Sequence, residues 1–523
     1  MPGPYEAIVI GAGHNGLTCA CYLARSGLKV LVLERYSTYG GMTISEEIAA
    51  PGFLSDVHAS GYLVAKLNAA PAELGLERHG LELITPAPNW AQVFPEGRCL
   101  AIGRDVEATC RSMAAFSQED AEAWRALYRR YVAEKPAIVA GMNTTPPSLA
   151  EAFSAPGEVD RYRFQFQSAR SWVEEQFRSA EIKSFFASCA LHAALAPDDE
   201  LGANFAWLFA AAVQDVGVSI VKGGMHNVSR ALVKELEAHG GEIRTGAGVS
   251  GITVAKDRAA SVRLESGETI EFDGVIAANV DPRHLVLDLL GAAQVGDVVA
   301  AKIRDYEWGQ SFFGIYVALD RPVPYRAGEA ADRAGYVHIG GTLDDLADTF
   351  AQARAELLPE RPMIGAINEA GIDPSRAPEG SGLMKFIVHF VPYRVTGDAS
   401  GNIRGTDWDE IKDTYADAVI DRLSDEFLPG LRERITARAV QSPLDYERRL
   451  ISAVHGTHQH GAYLPYQIGG MRPIPELGSY RSPIPNLYLC GAGSHPGSGV
   501  TMAPGRNAAK VICGDLGLDF PGT

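Results

Sequence analysis

The sequence predicts an α/β fold in which a Rossmann-type nucleotide-binding domain is interrupted by a mixed domain of sheet and helix. Three observations predict it. An apolar strand-like run, a glycine-rich turn and a helix-like run follow one another at residues 6–35. A helix, a strand, a hairpin and a return strand continue the same pattern at residues 221–281. A strand, a second glycine-rich loop and a closing helix are indicated at residues 486–513, and such alternation is typical of α/β domains.

The first glycine-rich turn is the strongest functional signal. Gly11, Gly13 and Gly16 follow the apolar run 7–10 and precede a helix-like run. The first glycine permits a tight turn, the second lets backbone approach a pyrophosphate, and the third lets the helix pack closely on the strand. The N-terminus of that helix would stabilise the phosphate charge. Glu34 ends the next strand-like run, where an acid can accept hydrogen bonds from a ribose. The segment therefore predicts a bound dinucleotide.

A second stretch repeats the same glycine spacing but is interpreted differently. Residues 246–251 also match G-x-G-x-x-G, yet the strand-like run 252–254 follows them. No helix N-terminus would face that loop, so it lacks the context that the motif requires. We predict a turn between two strands.

Composition and charge limit the classes of function. With 523 residues, the chain can form two or three domains, or one domain interrupted by another. A net charge of −17 argues against nucleic acid as a partner. The seven cysteines show neither C-x-x-C nor zinc-site spacing. They predict packing roles in a reducing compartment, and hence a cytoplasmic protein.

No signal peptide or membrane-spanning segment is predicted. The most apolar stretch, residues 201–213, is too short to cross a bilayer. It predicts a buried helix or the wall of an apolar pocket. The sequence leaves peripheral membrane contact and a homodimer open, since it shows neither a lipid-binding signal nor an interface.

The predicted domains are discontinuous along the chain. The nucleotide-binding domain takes residues 1–85, 216–290 and 446–523. The substrate-binding domain takes residues 86–215 and 291–445, and its stretch 108–178 is helical and charged. Two apolar runs, 312–319 and 383–391, predict strands of a separate sheet in this second domain.

Four segments carry a resemblance to a known family. They are residues 6–41, Lys222-Gly-Gly-Met, residues 471–476, and residues 489–509 with their glycine-rich loop. Together they resemble the phytoene desaturase-like branch of the FAD-dependent amine oxidase-type flavoproteins. The branch includes carotenoid desaturases, carotenoid ketolases and "pyridine nucleotide-disulphide oxidoreductase domain 2" proteins. The last label is misleading here, because no redox cysteine pair, such as C-x-x-C, stands near either glycine-rich loop. The resemblance covers most of the chain and implies FAD as the cofactor.

The resemblance also implies which residues contact FAD. The glycine turn would bind the pyrophosphate, Glu34 the adenosine ribose and Val249 the adenine. Gly491 and a helix starting at Val500 and Thr501 would reach the ribityl chain and the flavin, where a helix N-terminus suits the charge of a reduced ring. The full implied set is Gly11, Ala12, Gly13, Asn15, Gly16, Glu34, Arg35, Gly40, Gly41, Met42, Val249, Gly491, Ala492, Val500 and Thr501.

The resemblance implies an oxidoreductase that desaturates a C–C bond of a hydrophobic or alicyclic substrate by hydride transfer to flavin N5. Only one nucleotide-binding unit is predicted, so the electron acceptor is expected to be oxygen, a quinone or another small oxidant. Two alternatives remain open. One is a flavin-dependent isomerase without net redox. The other is a prenyl or lipid carrier of the same fold, against which the intact glycine loops argue.

Three residues are candidates for catalysis. His58 follows the glycine pair 40–41, and His495 lies in the C-terminal glycine-rich loop. Tyr463 follows three histidines, His455, His458 and His460. These histidines lack cysteines or paired carboxylates at ligand spacing, so no metal site is predicted. With Tyr463 and Tyr466 they are candidates for the pocket wall.

Three further features have two interpretations each. Lys222 could be a base near the flavin or a solvated loop lysine. Arg472 could anchor a loop or bind a substrate carboxylate. The apolar group 205–209 covers more than one helix face, so it could belong to the core or to a pocket for a large apolar substrate. Its bulky members are Phe205, Trp207, Leu208 and Phe209.

Overall fold

A computed structural model describes residues 5–146 and 158–523. Residues 147–157, inside the predicted helical stretch, lie outside the described residues, as do residues 1–4. The strands are β1 Tyr5–Ile10, β2 Val30–Leu33, β3 Ser45–Glu46, β4 Ser55–Asp56, β5 Leu83–Ile84, β6 Trp90–Val93, β7 Cys99–Ile102, β8 Ile220–Val221, β9 Glu242–Arg244, β10 Val249–Ala255, β11 Arg258–Leu264, β12 Thr269–Ala278, β13 Ser311–Leu319, β14 Val337–Ile339, β15 Leu357–Leu358, β16 Ile364–Asn368, β17 Gly382–Val391, β18 Gly397–Asp398, β19 Ile435–Gln441 and β20 Leu487–Leu489.

The described α-helices of seven or more residues are numbered separately. They are α1 His14–Arg25, α2 Val106–Ala114, α3 Gln118–Met142, α4 Glu158–Phe166, α5 Ala169–Gln176, α6 Ala180–Ser188, α7 Gly202–Val216, α8 His226–Ala238, α9 Asp297–Arg304, α10 Leu343–Arg354, α11 Trp408–Arg422, α12 Pro443–Arg449 and α13 Ala503–Leu516. Shorter α-helices are Ala70–Glu73, Ala292–Val295, Glu329–Asp332, Glu369–Ile372 and Leu431–Arg434.

The first sheet joins three distant parts of the chain. Its strand order is β10-β11-β12-β1-β2-β9, and β20 pairs with β12 beside this path. Strand β1 lies between β12 and β2, parallel to both, and β9 and β20 also pair in parallel. The carboxyl ends of β1, β2, β12 and β20 therefore meet at one edge. In open parallel sheets this edge is where ligands bind.

Both faces of this sheet are covered. Strand β1 is buried at residues 7–10 and β2 along its whole length, as expected for parallel strands covered on both faces. Helices α1, α8 and α13 share a hydrophobic core with one face. The antiparallel meander β10–β12 and the π-helix His284–Leu290 contribute to the core on the other face. The predicted α/β nucleotide-binding architecture is thus confirmed.

The second sheet is mixed and lies in the other predicted domain. Its strand order is β19-β13-β17-β16-β14-β6-β7, and only β6 and β14 pair in parallel. The two apolar runs predicted as strands become β13 and β17, which are adjacent and antiparallel. One face shares a core with helix α11. Helices α2–α7 form a second apolar cluster that includes Trp124, Trp172 and Phe186.

Two local predictions need correction. Within residues 221–281 the sequence predicts two short strands, 269–272 and 274–279, but β12 is continuous over residues 269–278, and β11, which was not predicted, pairs with it. The closing helix was expected to begin at Val500, but α13 begins at Ala503. Met502 adopts a left-handed conformation, with φ of 62°, which interrupts helical geometry before Ala503. Among the described helices, none has the length and apolar character to cross a membrane.

Candidate active site

A large cavity connects the two sheets with the helical cluster. Its volume is about 600 Å³. The edge of the first sheet contributes Gly11, Glu34, Asn279 and Ala492, each at or just beyond the carboxyl end of a strand. Strand β17, helix α3 and helix α7 line other parts of the same cavity. Segments that are distant in sequence thus form one continuous wall.

The glycine turn leaves no room for side chains. A Cβ atom on Gly13 would lie 2.9 Å from Nδ2 of Asn279. A Cβ on Gly16 would lie 2.2 Å from the carbonyl oxygen of Gly11. Asn279 also donates a hydrogen bond of 3.3 Å from Nδ2 to this oxygen, which joins the turn to the end of β12. The turn therefore has the close backbone approach that a pyrophosphate requires.

Glu34 is the acid of the nucleotide fingerprint, and its side chain is buried. Oε2 accepts a 2.7 Å hydrogen bond from the backbone N–H of Ala12, and Oε1 accepts one of 3.0 Å from the backbone N–H of Tyr36. Burial raises the pKa of Glu34, while these amides and the nearby Arg35 act to lower it. Each carboxylate oxygen can accept a second hydrogen bond. Glu34 can therefore hold the turn and still bind a ribose.

The residues fit a dinucleotide such as FAD. Asn15 is 2% exposed, lines the cavity, and its Oδ1 has no hydrogen-bond partner among the described residues. A buried polar atom without a partner indicates a ligand contact, because leaving it unsatisfied costs about 1–3 kcal/mol. The first turn of α1 lies beside it and offers backbone N–H groups to phosphate. These residues would hold the pyrophosphate.

The C-terminal loop closes the same site from the other side. His14, at the start of α1, lies with Nε2 3.1 Å from the carbonyl oxygen of Gly499. Thr501 Oγ1 accepts a 3.2 Å hydrogen bond from the backbone N–H of Ala503, at the start of α13. Helices α1 and α13 approach so closely that a Cβ on Gly505 would lie 2.1 Å from the carbonyl oxygen of Asn15. The two glycine-rich loops therefore form one site.

Most of the predicted cofactor residues line the cavity. Those that do are Gly11, Gly13, Asn15, Glu34, Arg35, Gly41, Met42, Val249, Ala492, Val500 and Thr501. The others, Ala12, Gly16, Gly40 and Gly491, support the wall from behind. The backbone N–H of Gly40, for example, donates a 2.9 Å hydrogen bond to the carbonyl of Ala12. Individual contacts of these residues with FAD stay predictions.

His58 lines the cavity with both ring nitrogens unpartnered among the described residues. Burial lowers the pKa of His58 well below its usual range, and the cations of Arg449 and Lys385 lower it further. Its surroundings therefore disfavour the protonated imidazole. The Lys385 ammonium donates hydrogen bonds to the His58 carbonyl and, at 2.9 Å, to Ser60 Oγ, so this buried lysine fixes the loop that carries His58.

The other two catalytic candidates also line the cavity, but both have protein partners. The hydroxyl of Tyr463 accepts a 2.8 Å hydrogen bond from the backbone N–H of Ser498 in the C-terminal loop. His495 lies with Nε2 2.9 Å from the carbonyl oxygen of Gly141, at the end of α3. Each side chain thus joins the C-terminal loop to another part of the wall.

The apolar group 205–209 divides between cavity and core. Phe205, Leu208 and Phe209 line the cavity, whereas Trp207 points into the helical cluster. The Trp207 indole N–H donates a 3.3 Å hydrogen bond to the carbonyl of Leu127. The group therefore contributes to the core and to the cavity wall, whereas a role in binding a large apolar substrate stays a prediction.

The structure decides the remaining alternatives. Arg472 is fully buried and donates hydrogen bonds to backbone carbonyls, including 2.6 Å to Gln459 and 3.1 Å to Ala492, so it anchors loops. Lys222 is half-exposed and pairs with Glu82 at 2.7 Å, away from the cavity. His458, His460 and Tyr463 line the cavity, but His455 and Tyr466 do not. No metal-binding cluster occurs in the described parts of the chain.

Several cavity residues could not be identified from the sequence. They are Trp90, His192, Asn279, Tyr336 and His389. For Asn279 the sequence does offer a signal of its place in the cavity, because this residue follows a buried strand. The other four come from β6, from a turn after α6, from the residue before β14 and from β17, and their sequence pattern is that of ordinary core residues.

The geometry agrees with comparisons to known proteins. The model of the flavin-containing amine oxidoreductase family matches residues 16–513. The chain belongs to this family. Like other members of the flavin-containing amine oxidoreductase family, it is an FAD-dependent oxidoreductase, and the predicted family resemblance is confirmed.

Individual relatives match over nearly the whole chain. Pyridine nucleotide-disulfide oxidoreductase domain-containing protein 2 of Rattus norvegicus is 30% identical over 98% of this chain and 94% of its own. A limonene dehydrogenase component of Castellaniella defragrans is 27% identical, with coverage of 98% and 95%. Phytoene desaturase (lycopene-forming) of Pseudescherichia vulneris is 25% identical, with coverage of 98% and 99%.

A solved structure supports the fold. An oxidoreductase from Methanosarcina mazei superposes with a TM-score of 0.62 at 16% identity, covering 97% of this chain and all of the other. All seven cysteines of the present chain are free thiols.

Proposed function

We propose that this oxidoreductase is a dehydrogenase that removes two hydrogen atoms across a C–C bond of an uncharged apolar or alicyclic substrate. One observation carries the proposal. Among the described cavity-lining residues, only Glu34 and Arg35 carry a carboxylate, ammonium or guanidinium group, and both lie at the nucleotide end, directly after β2. The remaining wall is largely aromatic and aliphatic and suits an uncharged ligand.

The names of two relatives agree with this substrate class. One is a component of a limonene dehydrogenase and the other a phytoene desaturase, and both names denote removal of hydrogen from hydrocarbons. The identities of 27% and 25% do not define a substrate. The chemistry of the cavity is therefore the main argument, and the relatives support it.

The chemistry that FAD would supply when bound is a hydride acceptor, flavin N5. The chain must hold the substrate carbon there and exclude water. Phe205 and Phe209 supply apolar surface for this purpose. The second hydrogen leaves as a proton and needs an acceptor.

His58 is the proposed proton acceptor. Its neutral imidazole has lone-pair capacity, and neither ring nitrogen is engaged by a described residue. Tyr463 and His495 are proposed to position the C-terminal loop, because each is hydrogen-bonded to backbone. The hydrogen bonds that Lys385 donates would hold the loop that carries His58.

Turnover would also require an electron acceptor. Among the described residues, the first sheet contains one strand–GxGxxG–helix unit, because the loop between β20 and α13 has a different glycine spacing, and FAD would account for that unit. We therefore propose oxygen, a quinone or another small oxidant as acceptor, rather than a second nucleotide.

The domain boundaries, a homodimer, peripheral membrane contact and a cytoplasmic location stay predictions of the sequence.

Anaerobic flavin spectroscopy tests the proposal. Purified holoenzyme is mixed without oxygen with limonene, phytoene or cyclohexanone while the visible absorption of the oxidised flavin is followed. Bleaching by one of them, with the desaturated product recovered, is the expected result. A new double-bond isomer formed without bleaching would instead identify an isomerase, and a protein that binds no FAD would fit a carrier.

A variant pair tests the role of His58. His58→Gln keeps a side chain of similar size but removes the base, so bleaching should slow by about 100-fold or more while FAD content stays the same. The control is His239→Gln, an exposed histidine directly after α8. Equal rates in His58→Gln and the wild type would contradict the assignment of the base.

A further inference from the structure

A chain of hydrogen bonds leads from the protein core to the cavity wall at His192. The ring of His192 lines the cavity, and its Nε2 lies 3.2 Å from Nε2 of His338. His338 is fully buried, and its Nδ1 lies 2.8 Å from Oγ of Ser188. Residues 188, 192 and 338 thus form one continuous relay, and the direction of each hydrogen bond can be determined.

The direction is set at Ser188. Its hydroxyl donates to a carbonyl, at 2.7 Å to Phe185, with the Gln92 side-chain oxygen at 3.3 Å as the alternative. A hydroxyl has one hydrogen, so Oγ must accept from His338, which then carries its proton on Nδ1. Neutral His338 consequently presents a lone pair at Nε2 and accepts the Nε2–H of His192.

This direction fixes the tautomer of His192. With its proton on Nε2, Nδ1 of His192 carries a lone pair. No described residue hydrogen-bonds to that nitrogen, while the backbone carbonyl of the same residue accepts from His458. A hydrogen-bond acceptor on the cavity wall is satisfied when the ligand carries a hydrogen-bond donor.

The ring environment keeps His192 neutral and oriented. Phe209 stacks on the imidazole with ring centroids 4.3 Å apart and planes 1° apart, and Trp90 meets it edge-on at 5.2 Å. Burial lowers the pKa of His192 well below its usual range, and the neighbouring His338, His389 and His458 lower it further. The ring therefore offers a hydrogen-bond acceptor and no positive charge.

We propose that Nδ1 of His192 binds a hydroxyl group of the substrate, so that the natural substrate is an apolar or alicyclic alcohol. A hydrocarbon would leave this acceptor unsatisfied. A ketone or aldehyde would place its carbonyl oxygen, which is also an acceptor, against Nδ1 of His192. A carboxylate would meet no cation here. The proposal rests on the proposed function, since it specifies the substrate of the same cavity. His338 and Ser188 are positioning residues that select the tautomer.

The test compares ligands that differ in one group. Decalin, 2-decalol and 2-decalone share one bicyclic skeleton and carry no polar group, a hydroxyl and a carbonyl, respectively. Equilibrium dialysis against the holoenzyme, with the free ligand measured by gas chromatography, gives a dissociation constant or a lower limit for each. The wild type should bind 2-decalol about tenfold more tightly than decalin or 2-decalone, as one buried hydrogen bond allows.

Two variants separate hydrogen bonding from packing. His192→Phe keeps the stacking on Phe209 but removes the acceptor, so the preference for the alcohol over the hydrocarbon should disappear. His338→Phe removes the group that fixes the tautomer, so His192 can present an N–H to the ligand. The affinity for 2-decalone should therefore rise relative to the affinity for 2-decalol. His239→Phe makes the same change at an exposed site and should leave all ratios unchanged. Ratios within one variant do not depend on its overall stability.

The outcomes distinguish this inference from the proposed function. A wild type without preference for 2-decalol, or an unchanged preference in His192→Phe, would overturn the inference. Dehydrogenation is measured separately by anaerobic bleaching. If a preference that depends on His192 occurs without bleaching by any alcohol, the inference stands and the dehydrogenase assignment fails. If limonene bleaches the flavin and the ligand ratios do not depend on His192, the dehydrogenase assignment stands and the inference about His192 fails.

Discussion

The carboxylate of Glu34 accepts a 2.7 Å hydrogen bond from the backbone N–H of Ala12. This contact joins the acid after β2 to the glycine turn after β1. The acid of the nucleotide fingerprint therefore has a structural role in addition to its expected contact with ribose. Loss of its acceptor capacity should disturb the turn and the ligand contact together.

Glu34→Gln should weaken FAD binding by about tenfold or more. The amide retains the volume, but its N–H₂ group must face either the N–H of Ala12 or that of Tyr36, which opposes two donors. Titration of the apoprotein with FAD measures the effect. Glu265→Gln is the control, because Glu265 is half-exposed and pairs with Arg35 at the same end of the site. Equal FAD affinity in both variants would refute the proposed role of Glu34.

Gly16→Ala should reduce both stability and FAD content. The new Cβ would lie 2.2 Å from the Gly11 carbonyl oxygen and 2.8 Å from Cβ of Asn279, so α1 must move away from the sheet. Overpacking of this kind costs about 1–3 kcal/mol. Gly514→Ala on α13 meets no atom within 4 Å and should stabilise by up to about 1 kcal/mol. Thermal midpoints and flavin absorbance measure both, and similar midpoints would contradict the steric argument.

Phe205 and Trp207, two residues apart on α7, should respond differently to truncation. Trp207 is 2% exposed and packs on Phe164 and Arg130, so Trp207→Ala should cost about 3–5 kcal/mol in unfolding free energy. Phe205 lines the cavity, so Phe205→Ala should weaken limonene binding about tenfold with a smaller loss of stability. Denaturant midpoints and equilibrium dialysis test the pair. Equal destabilisation would show that both side chains belong to the core.

Glu73 should make the stability depend on pH. Burial acts to raise the pKa of its carboxyl, but hydrogen bonds from Arg506, Tyr22 and Thr523 outweigh burial and lower that pKa to about 2. A lowered acid pKa means that the stabilisation is fully present above the unfolded pKa, about 4.3, and is lost as pH falls towards 2. At pH 7, Glu73→Gln should therefore cost about 2 kcal/mol, allowing for partial screening by solvent.

Thermal midpoints between pH 7 and pH 3 measure this dependence. The difference between the wild type and Glu73→Gln should shrink as the pH falls below about 5. Glu119→Gln is the control, because Glu119 is exposed and its contact with Arg178 spans 3.3 Å at the surface. A difference that stays constant with pH would assign the effect to packing instead of charge.

Local motifs were predictable where backbone sterics act over a few residues. Gly11, Gly13 and Gly16 are required by contacts within one turn and its neighbouring strand, so their order along the chain identifies the site. The start of α13 was misplaced by three residues, since nothing in the local sequence shows that Met502 adopts a left-handed conformation. The hairpin strand β11 was missed because its residues alternate only weakly between apolar and polar.

The sequence by itself determined the α/β class, the position of the nucleotide-binding turn and the family, because each depends on contiguous residues with fixed spacing. Only the tertiary structure decided which side chains share the cavity. His192 and His338 are 146 positions apart and meet because a turn after α6 packs on β14. Phe205 and Trp207 diverge because α7 lies between cavity and core. Such contacts depend on how whole elements pack together, and no local pattern encodes that arrangement.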